Sequence, residues 1–326
     1  MTFRIASTRD LLKADGMPAF GEAAFDELAR NTEIAWEWLP EAVTEITPEI
    51  AARYDGLHVN LPSVTAASIS GADCRLKIVA RNGVGFDNVN VAACAARGII
   101  VTNTPFAIRR PVAVAALTLI FALSGRLMAK DRIARSGDWT ARTDHMGTGL
   151  TGRTLGLIGA GGIGQELIPL ARPFFDRVVV ADPYVDPAVL IGLGADVFPF
   201  AEMLAVSDFV VAACPLNEET RHIMNADAFA AMKSSASFIN VARGPVHDEA
   251  ALVDALRIGQ IASAALDVTE VEPLSAQSPL TDMDNVILTP HSLCWTDECF
   301  EDIARTALRS IVDVSLGIAP QHAVQP

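Results

Sequence analysis

The chain has 326 residues, 51 % hydrophobic and only 6 % aromatic, which is enough apolar material for two cores and favours helices packed on a parallel sheet over an all-β sandwich. A formal net charge of −14, with no Lys/Arg cluster besides Arg109-Arg110, argues against nucleic acid as a partner and obliges any acid-binding site to carry its own cations. The five cysteines (Cys74, Cys94, Cys214, Cys294, Cys299) form no CxxC pair, the N-terminus lacks a signal-peptide core, and the longest apolar run, Val112 to Leu123, is too short for a bilayer; reduced thiols in a cytoplasmic protein without membrane partners are expected.

Short apolar runs alternate with helical patterns over the first hundred residues. Gly56–Asn60 and Leu76–Ala80 read as strands, Val91–Arg97 as a helix ended by Gly98, and Ile99–Thr102 as the next strand. That rhythm builds parallel strands joined by helical crossovers. Pro105 and Pro111 bracket a break. Pro111 suits the first turn of a helix, and the run from Val112 is apolar nearly all round, which predicts burial between domains or subunits. From Thr154 the rhythm restarts: a strand at Leu155–Gly159, a helix at Ile163–Phe175 and a strand at Arg177–Asp182. Further strands are expected at Asp208–Ala213, Ser237–Val241, Ala262–Asp267 and Asn285–Thr289, with a helix starting near Asp248. The fold class read from this order is α/β, with a doubly wound parallel sheet in the middle of the chain.

Gly159-Ala-Gly161-Gly-Ile-Gly164 fits G-x-G-x-x-G between a strand and a helix. Gly159 permits a tight turn, Gly161 lets backbone approach a pyrophosphate, and Gly164 lets helix and strand pack closely. The pyrophosphate would rest on the helix N-terminus. The second strand ends in Asp182, 18 residues after Gly164, where a carboxylate accepts ribose hydroxyls and repels a 2′-phosphate; this favours NAD over NADP. The plainer reading is that Asp182-Pro183 is only a turn. Arg243, Glu272 and His291 each follow a predicted strand, where ligands bind in open α/β sheets. One cation, one acid and one imidazole there form a plausible acid–base set, and no metal ligand set is visible.

On the runs Arg81–Val89, Val101–Pro105, Gly152–Gly164, Cys214–Arg221, Phe238–Gly244, Ala265–Pro273 and Asn285–His291, the chain resembles the D-isomer-specific 2-hydroxyacid dehydrogenases. The resemblance implies two Rossmann-like domains: a smaller flavodoxin-like substrate domain formed by residues 1–105 and 293–326, and an NAD-binding domain at 106–292, closing over the substrate. It implies hydride transfer between nicotinamide C4 and C2 of a small acid, with hydroxypyruvate/D-glycerate and glyoxylate leading. Arg243 would bind the carboxylate and polarise the carbonyl, His291 would be the general acid and base, and Glu272 would orient the imidazole. Substrate would also meet Asn82, Gly83, Val84 and Gly85. Cofactor contacts would come from Gly159, Gly161, Gly162, Ile163, Gly164, Asp182, Cys214, Pro215, Thr220, Ala242, Asp267 and His291. A homodimer through the cofactor domain, using the helix from Val112, is implied as well.

Departures from the family pattern matter too. Many relatives carry Arg where Gly162 stands, so the pyrophosphate here has one side-chain cation fewer. An acid common early in the long helix, near Val114, is missing. Val59-Asn60-Leu61-Pro62 lacks the Arg found in phosphoglycerate dehydrogenases, which disfavours a phosphorylated substrate. Arg109 and Arg110 are either a solvated hinge pair or reach the active site to select a second anionic or polar group. Trp295 either packs at the domain crossing or walls the pocket. Asn82 either bonds a substrate hydroxyl or ties its loop to itself. The alternative to an enzyme is an NAD(H)-sensing, corepressor-like binding protein on the same fold.

Overall fold

The computed structural model describes residues 2–325, which divide into two compact units: the residues up to Ile108 with those from Trp295 on, and Arg109–Cys294. The divisions fall at 108/109 and 294/295, against the expected 105/106 and 292/293. At the first of them the long helix begins at Arg109, ahead of Pro111.

The first unit contains β1 (Phe3–Ser7), β2 (Ile34–Trp38), α1 (Pro48–Arg53), β3 (Gly56–Val59), β4 (Ile78–Arg81), α2 (Val91–Ala96) and β5 (Ile100–Thr102). Its parallel sheet has the order β2-β1-β3-β4-β5, the flavodoxin-like order, reversing between β1 and β3. Ala6, Leu57, Val59, Val79 and Val101 pack with Ala51 of α1 and Cys94 of α2 in one core. In a second core, Phe3, Ile5, Ile78 and Ala80 meet Ala307 and Ile311 of the C-terminal helix, Asp297–Ser315. The Thr296 hydroxyl accepts the Cys299 N–H at 3.2 Å to cap that helix, and Asp297 and Glu298 stand in its first turn, where the helix dipole favours acids. Arg309 pairs with Glu27 at 2.9 Å and Asp313 with Arg30 at 2.9 Å, tying the helix to the 3-10 segment Ala23–Arg30.

The second unit contains α3 (Arg109–Ser124), α4 (Leu127–Ser136), β6 (Thr154–Ile158), α5 (Gly162–Ala171), β7 (Arg177–Ala181), α6 (Pro187–Gly192), β8 (Asp196–Val197), α7 (Phe200–Val206), β9 (Phe209–Ala212), α8 (Ala226–Ala231), β10 (Ser237–Asn240), α9 (Glu249–Arg257), β11 (Ser263–Leu266) and β12 (Val286–Leu288). Its parallel sheet runs β12-β11-β10-β9-β6-β7-β8, so strand order departs in both directions from β6 and the switch point lies between β6 and β9. α5 stops at Ala171 rather than the expected Phe175, because Pro173 has no N–H to continue the ladder. Seven of the sixteen residues of α3 are buried, all between Val112 and Ile120, so on this chain the helix lacks the all-round cover that its apolar sequence predicts. One stripe, Val114, Thr118 and Phe121, is exposed on the chain, and Phe121 stacks edge-on with exposed Phe174 at 5.0 Å. Among the described residues no single helix is long and apolar enough to cross a membrane, and Cys74, Cys94 and Cys214 are free thiols.

Candidate active site

β6 runs into Gly159, whose φ of +85° suits glycine, and a Cβ there would come within 2.7 Å of Cys214 Cα. The absent side chain lets the end of β6 lie against the end of β9 at the switch point. A Cβ on Gly164 would sit 2.8 Å from the Gly159 carbonyl, so helix and strand are close-packed there. Gly161 differs: nothing lies within 4 Å of the place its Cβ would take. The loop floor is open at that residue, and α5 begins there without a side-chain cap or an acid in its first turn. Gly162, Ile163 and Gly164 form that turn, whose N–H groups have no intrahelical acceptor.

Asp182 lies beside this loop. Its Oδ2 accepts the Ala160 N–H at 2.7 Å, and Oδ1 accepts those of Tyr184 and Val185 at 2.8 and 2.9 Å. A carboxylate has roughly four acceptor positions, so about one remains for a ribose hydroxyl. Beyond β9, burial pushes the Cys214 thiol up to about 11, which keeps it protonated and unreactive. The Thr220 hydroxyl donates to the Pro215 carbonyl at 2.6 Å and accepts the Asn217 N–H at 2.8 Å; it fixes its own turn. An open glycine floor, an uncapped helix N-terminus and a carboxylate at the next strand end fit a dinucleotide.

At the end of β10, Asn240 organises the next loop. Its Oδ1 accepts the Ala242 N–H at 2.9 Å, and its Nδ2 donates to the Arg243 carbonyl and to His247 Nδ1, both at 2.9 Å. Both side chains are fully buried, and the turn they hold presents Arg243, which donates to the Ala242 carbonyl at 2.7 Å. At the end of β11, Asp267 Oδ1 accepts the Thr289 hydroxyl at 2.6 Å and the Ser292 and Leu293 N–H groups at 3.2 Å. Asp267 therefore anchors the loop carrying His291. His291 itself adopts φ +53°, an uncommon conformation for this residue. Its Nδ1 meets Glu272 Oε2 at 2.8 Å, while Glu272 Oε1 accepts the Thr269 N–H at 3.2 Å. Burial pushes the Glu272 carboxyl up, but the hydrogen bond and charge of His291, the Thr269 amide and the charge of Arg243 outweigh it and hold it below the usual range. The three residues expected to form an acid–base set are thus gathered within the second unit.

The glycine loop after β4 belongs to the first unit. Gly83 has φ +135°, its carbonyl accepts the Thr104 N–H at 3.0 Å, and the Val84 carbonyl accepts Asn103 Nδ2 at 2.8 Å. No described residue takes the N–H of Val84 or Gly85. Asn82 does not tie its loop to itself. Its Oδ1 meets His58 Nε2 at 2.8 Å, His58 Nδ1 meets Ser7 Oγ at 3.2 Å, and Trp36 Nε1 donates to Ser7 Oγ at 3.1 Å. Burial pushes His58 down to about 4, so the ring is neutral; with Nε2–H facing Asn82, the Ser7 hydroxyl donates to Nδ1. Asn82 Nδ2 is buried without a partner among the described residues.

Three supporting residues, Asn240, His247 and His58, escape sequence reasoning. Asn240, within Phe238-Ile-Asn-Val-Ala-Arg-Gly, carries a turn-residue signal; the two histidines carry none. Of the Arg109-Arg110 pair, Arg110 is exposed and pairs with Glu166 of α5 at 3.7 Å, while Arg109 lies against Gly162. Trp295 packs on Phe300, ring centroids 4.8 Å apart.

The description "D-isomer specific 2-hydroxyacid dehydrogenase, NAD binding domain" matches residues 117–292, more than half the chain. The chain belongs to that family. It is accordingly an NAD-dependent oxidoreductase for 2-hydroxy acids and their 2-oxo counterparts. A glyoxylate reductase of Thermococcus onnurineus is 37 % identical over 89 % of this chain and 88 % of its own length. A D-3-phosphoglycerate dehydrogenase of Archaeoglobus fulgidus is 34 % identical over 83 % of this chain, which spans only 51 % of that protein. A crystal structure of a Thermus thermophilus protein superposes with TM-score 0.86 at 31 % identity, covering 99 % of this chain and all of the other.

Proposed function

We infer that this dehydrogenase reduces a small unphosphorylated 2-oxo acid, glyoxylate to glycolate or hydroxypyruvate to D-glycerate. NADH supplies the hydride, from nicotinamide C4 to substrate C2. Arg243 grips the carboxylate and polarises the carbonyl oxygen with its planar fork of donors. The Val84 and Gly85 N–H groups hold the carboxylate as well. As charge develops on the carbonyl oxygen, His291 Nε2 delivers a proton to it; the reverse oxidation returns that proton to the ring. Glu272 keeps Nδ1–H engaged and stabilises the imidazolium. The observation that carries this reading is the 2.8 Å contact between His291 Nδ1 and Glu272 Oε2, which leaves Nε2 as the exchanging nitrogen.

Two observations favour an unphosphorylated substrate. Relatives matched along 88 % and 94 % of their length are named glyoxylate reductases. Arg81, beside Asn60, donates to Asn60 Oδ1, Asn88 Oδ1 and the Asn82 carbonyl, so it builds the loop instead of offering an open fork to a phosphate. We further propose a cytoplasmic homodimer, in which a second copy covers the Val114–Phe121 stripe and exposed Leu127, Met128 and Phe174.

The test is initial rates with hydroxypyruvate, glyoxylate, pyruvate and 3-phosphohydroxypyruvate, each with NADH and NADPH, for the wild type and His291→Ala. Turnover of an unphosphorylated acid with NADH, reduced on the order of 10²- to 10⁴-fold in the variant, is expected. Preference for 3-phosphohydroxypyruvate, or an active His291→Ala, overturns the reading.

A further inference from the structure

Gly162 opens α5, and a Cβ built on it would overlap Nε of Arg109 and lie 2.8 and 2.9 Å from its Cδ and Cζ. The arginine, projecting from the start of α3, fills the space that a side chain at position 162 would take. One turn further along α5, Glu166 pairs with exposed Arg110 at 3.7 Å, so both arginines lie along the first turns of α5. A helix N-terminus carries roughly half a positive charge, so placing a guanidinium there is unfavourable in itself. α5 answers it with no acid in its first turn and no side-chain cap. The same end of the helix adjoins the open floor at Gly161, where nothing of the protein lies within 4 Å of a Cβ position. An anion lying on that floor would face both the helix N–H groups and the guanidinium.

The geometry points to Arg109 as a ligand of the cofactor pyrophosphate, reaching it across Gly162. The inference rests on the reading that the pyrophosphate sits on the N-terminus of α5. A planar guanidinium binds phosphate oxygens through two N–H groups at once, whereas the α5 amides contribute single bonds along the helix axis. Gly162 then has a physical reason: any larger residue would evict the arginine. The pyrophosphate thereby has a side-chain cation, supplied from a helix more than fifty residues earlier.

The experiment is calorimetric titration of the full chain with NADH, ADP-ribose and adenosine, at low and high salt. Arg109→Gln is expected to weaken NADH and ADP-ribose on the order of 10- to 100-fold, to leave adenosine unchanged and to flatten the salt dependence. Gly162→Arg alone should also weaken both, by collision, and Arg109→Gln/Gly162→Arg should recover most of the affinity because the cation returns from the other backbone. Undiminished NADH and ADP-ribose binding by Arg109→Gln overturns the inference, as does equal weakening of adenosine, which indicates general loosening. If Arg109→Gln fails to fold, Arg109→Lys and the double variant decide: intermediate affinity and recovery are expected, and no recovery overturns it. Gly161→Val separates the two readings. If it abolishes ADP-ribose binding while Arg109→Gln does not affect it, the pyrophosphate site stands and the arginine's role falls; if neither matters, the site itself is wrong.

Discussion

The carbonyl oxygen of Thr269 occupies the space that any side chain on Gly244 would need. The loop after β10 therefore lies backbone to backbone on the loop after β11, and Arg243 is brought beside Glu272 by a glycine that has no chemistry of its own. In Gly244→Ala the new methyl must push the two loops apart. Overpacking of this kind costs about 1–3 kcal/mol, and a displacement near 1 Å lowers turnover on the order of 100-fold. Urea unfolding and kcat/KM check both, and a variant that is wild-type in each refutes the contact's importance.

Glu272 is held below the usual carboxylate range, so it faces His291 as an anion wherever the imidazole exchanges protons. Glu272→Gln preserves the shape but removes that charge, and the protonated ring loses its stabilising partner. Reduction needs the ring protonated, so the alkaline limb of its kcat/KM profile should move to lower pH. An unmoved limb means that Glu272 only orients the ring.

Two buried histidines make the folded state sensitive to acid. Burial pushes both His58 and His247 down to about 4, against 6.5 when exposed. Above pH 6.5 both folded and unfolded chains carry them neutral and they have no effect. As pH falls from 6.5 towards 4 the unfolded chain binds the protons first, so stability drops, by up to about 3 kcal/mol per histidine. Urea midpoints measured from pH 7.5 to 4.5 should fall steadily, and fall less in His247→Phe. A flat wild-type profile rules this out.

Asn82→Ala leaves His58 Nε2–H buried without its acceptor, which should destabilise the chain by about 1–3 kcal/mol. If Asn82 Nδ2, unpartnered among the described residues, also donates to substrate, KM for the 2-oxo acid rises while NADH affinity is unchanged. Denaturant titration and steady-state kinetics separate the two roles; an Asn82→Ala chain as stable as the wild type contradicts the His58 contact.

The exposed stripe on α3 predicts self-association. Phe121→Glu places a charge in the centre of the apolar face and should convert a dimer to a monomer in sedimentation, with folding stability changed by less than about 0.5 kcal/mol. A wild-type chain that sediments as a monomer at micromolar concentration removes the proposal.

The second unit is largely legible in the sequence because its information is local. Leu155–Gly159 is an apolar strand, the fingerprint follows at once, and the strand ends that carry Arg243, Glu272 and His291 come in chain order. The first unit is less so. β1 and β2 escape the pattern: β2 is an edge strand only partly buried along its length, which blurs the alternation that marks a strand. α1 and α8 have six residues each, too few for a helical period to show, and they lack the terminal glycine signal that makes the equally short α2 legible at Gly98. The C-terminal helix does carry a readable signal, since Cys299, Ile303, Ala307 and Ile311 recur at four-residue spacing behind a Thr-Asp-Glu start. Pairings such as His58 with Asn82 or Arg109 with Gly162 join residues far apart in the chain, and no spacing rule reaches them.

The helix that covers one face of the first sheet is made long after the strands it covers. As a ribosome delivers the protein, β1 to β5 emerge early, with Phe3, Ile5, Ile78 and Ala80 bare until Ala307 and Ile311 follow. At about 5–20 residues per second that interval is on the order of 10–40 seconds. The second unit, continuous in sequence, can bury its core as soon as β12 is out. Folding therefore completes in the reverse of the order of synthesis, and for those seconds the nascent chain presents a sticky sheet face that a chaperone is suited to shield.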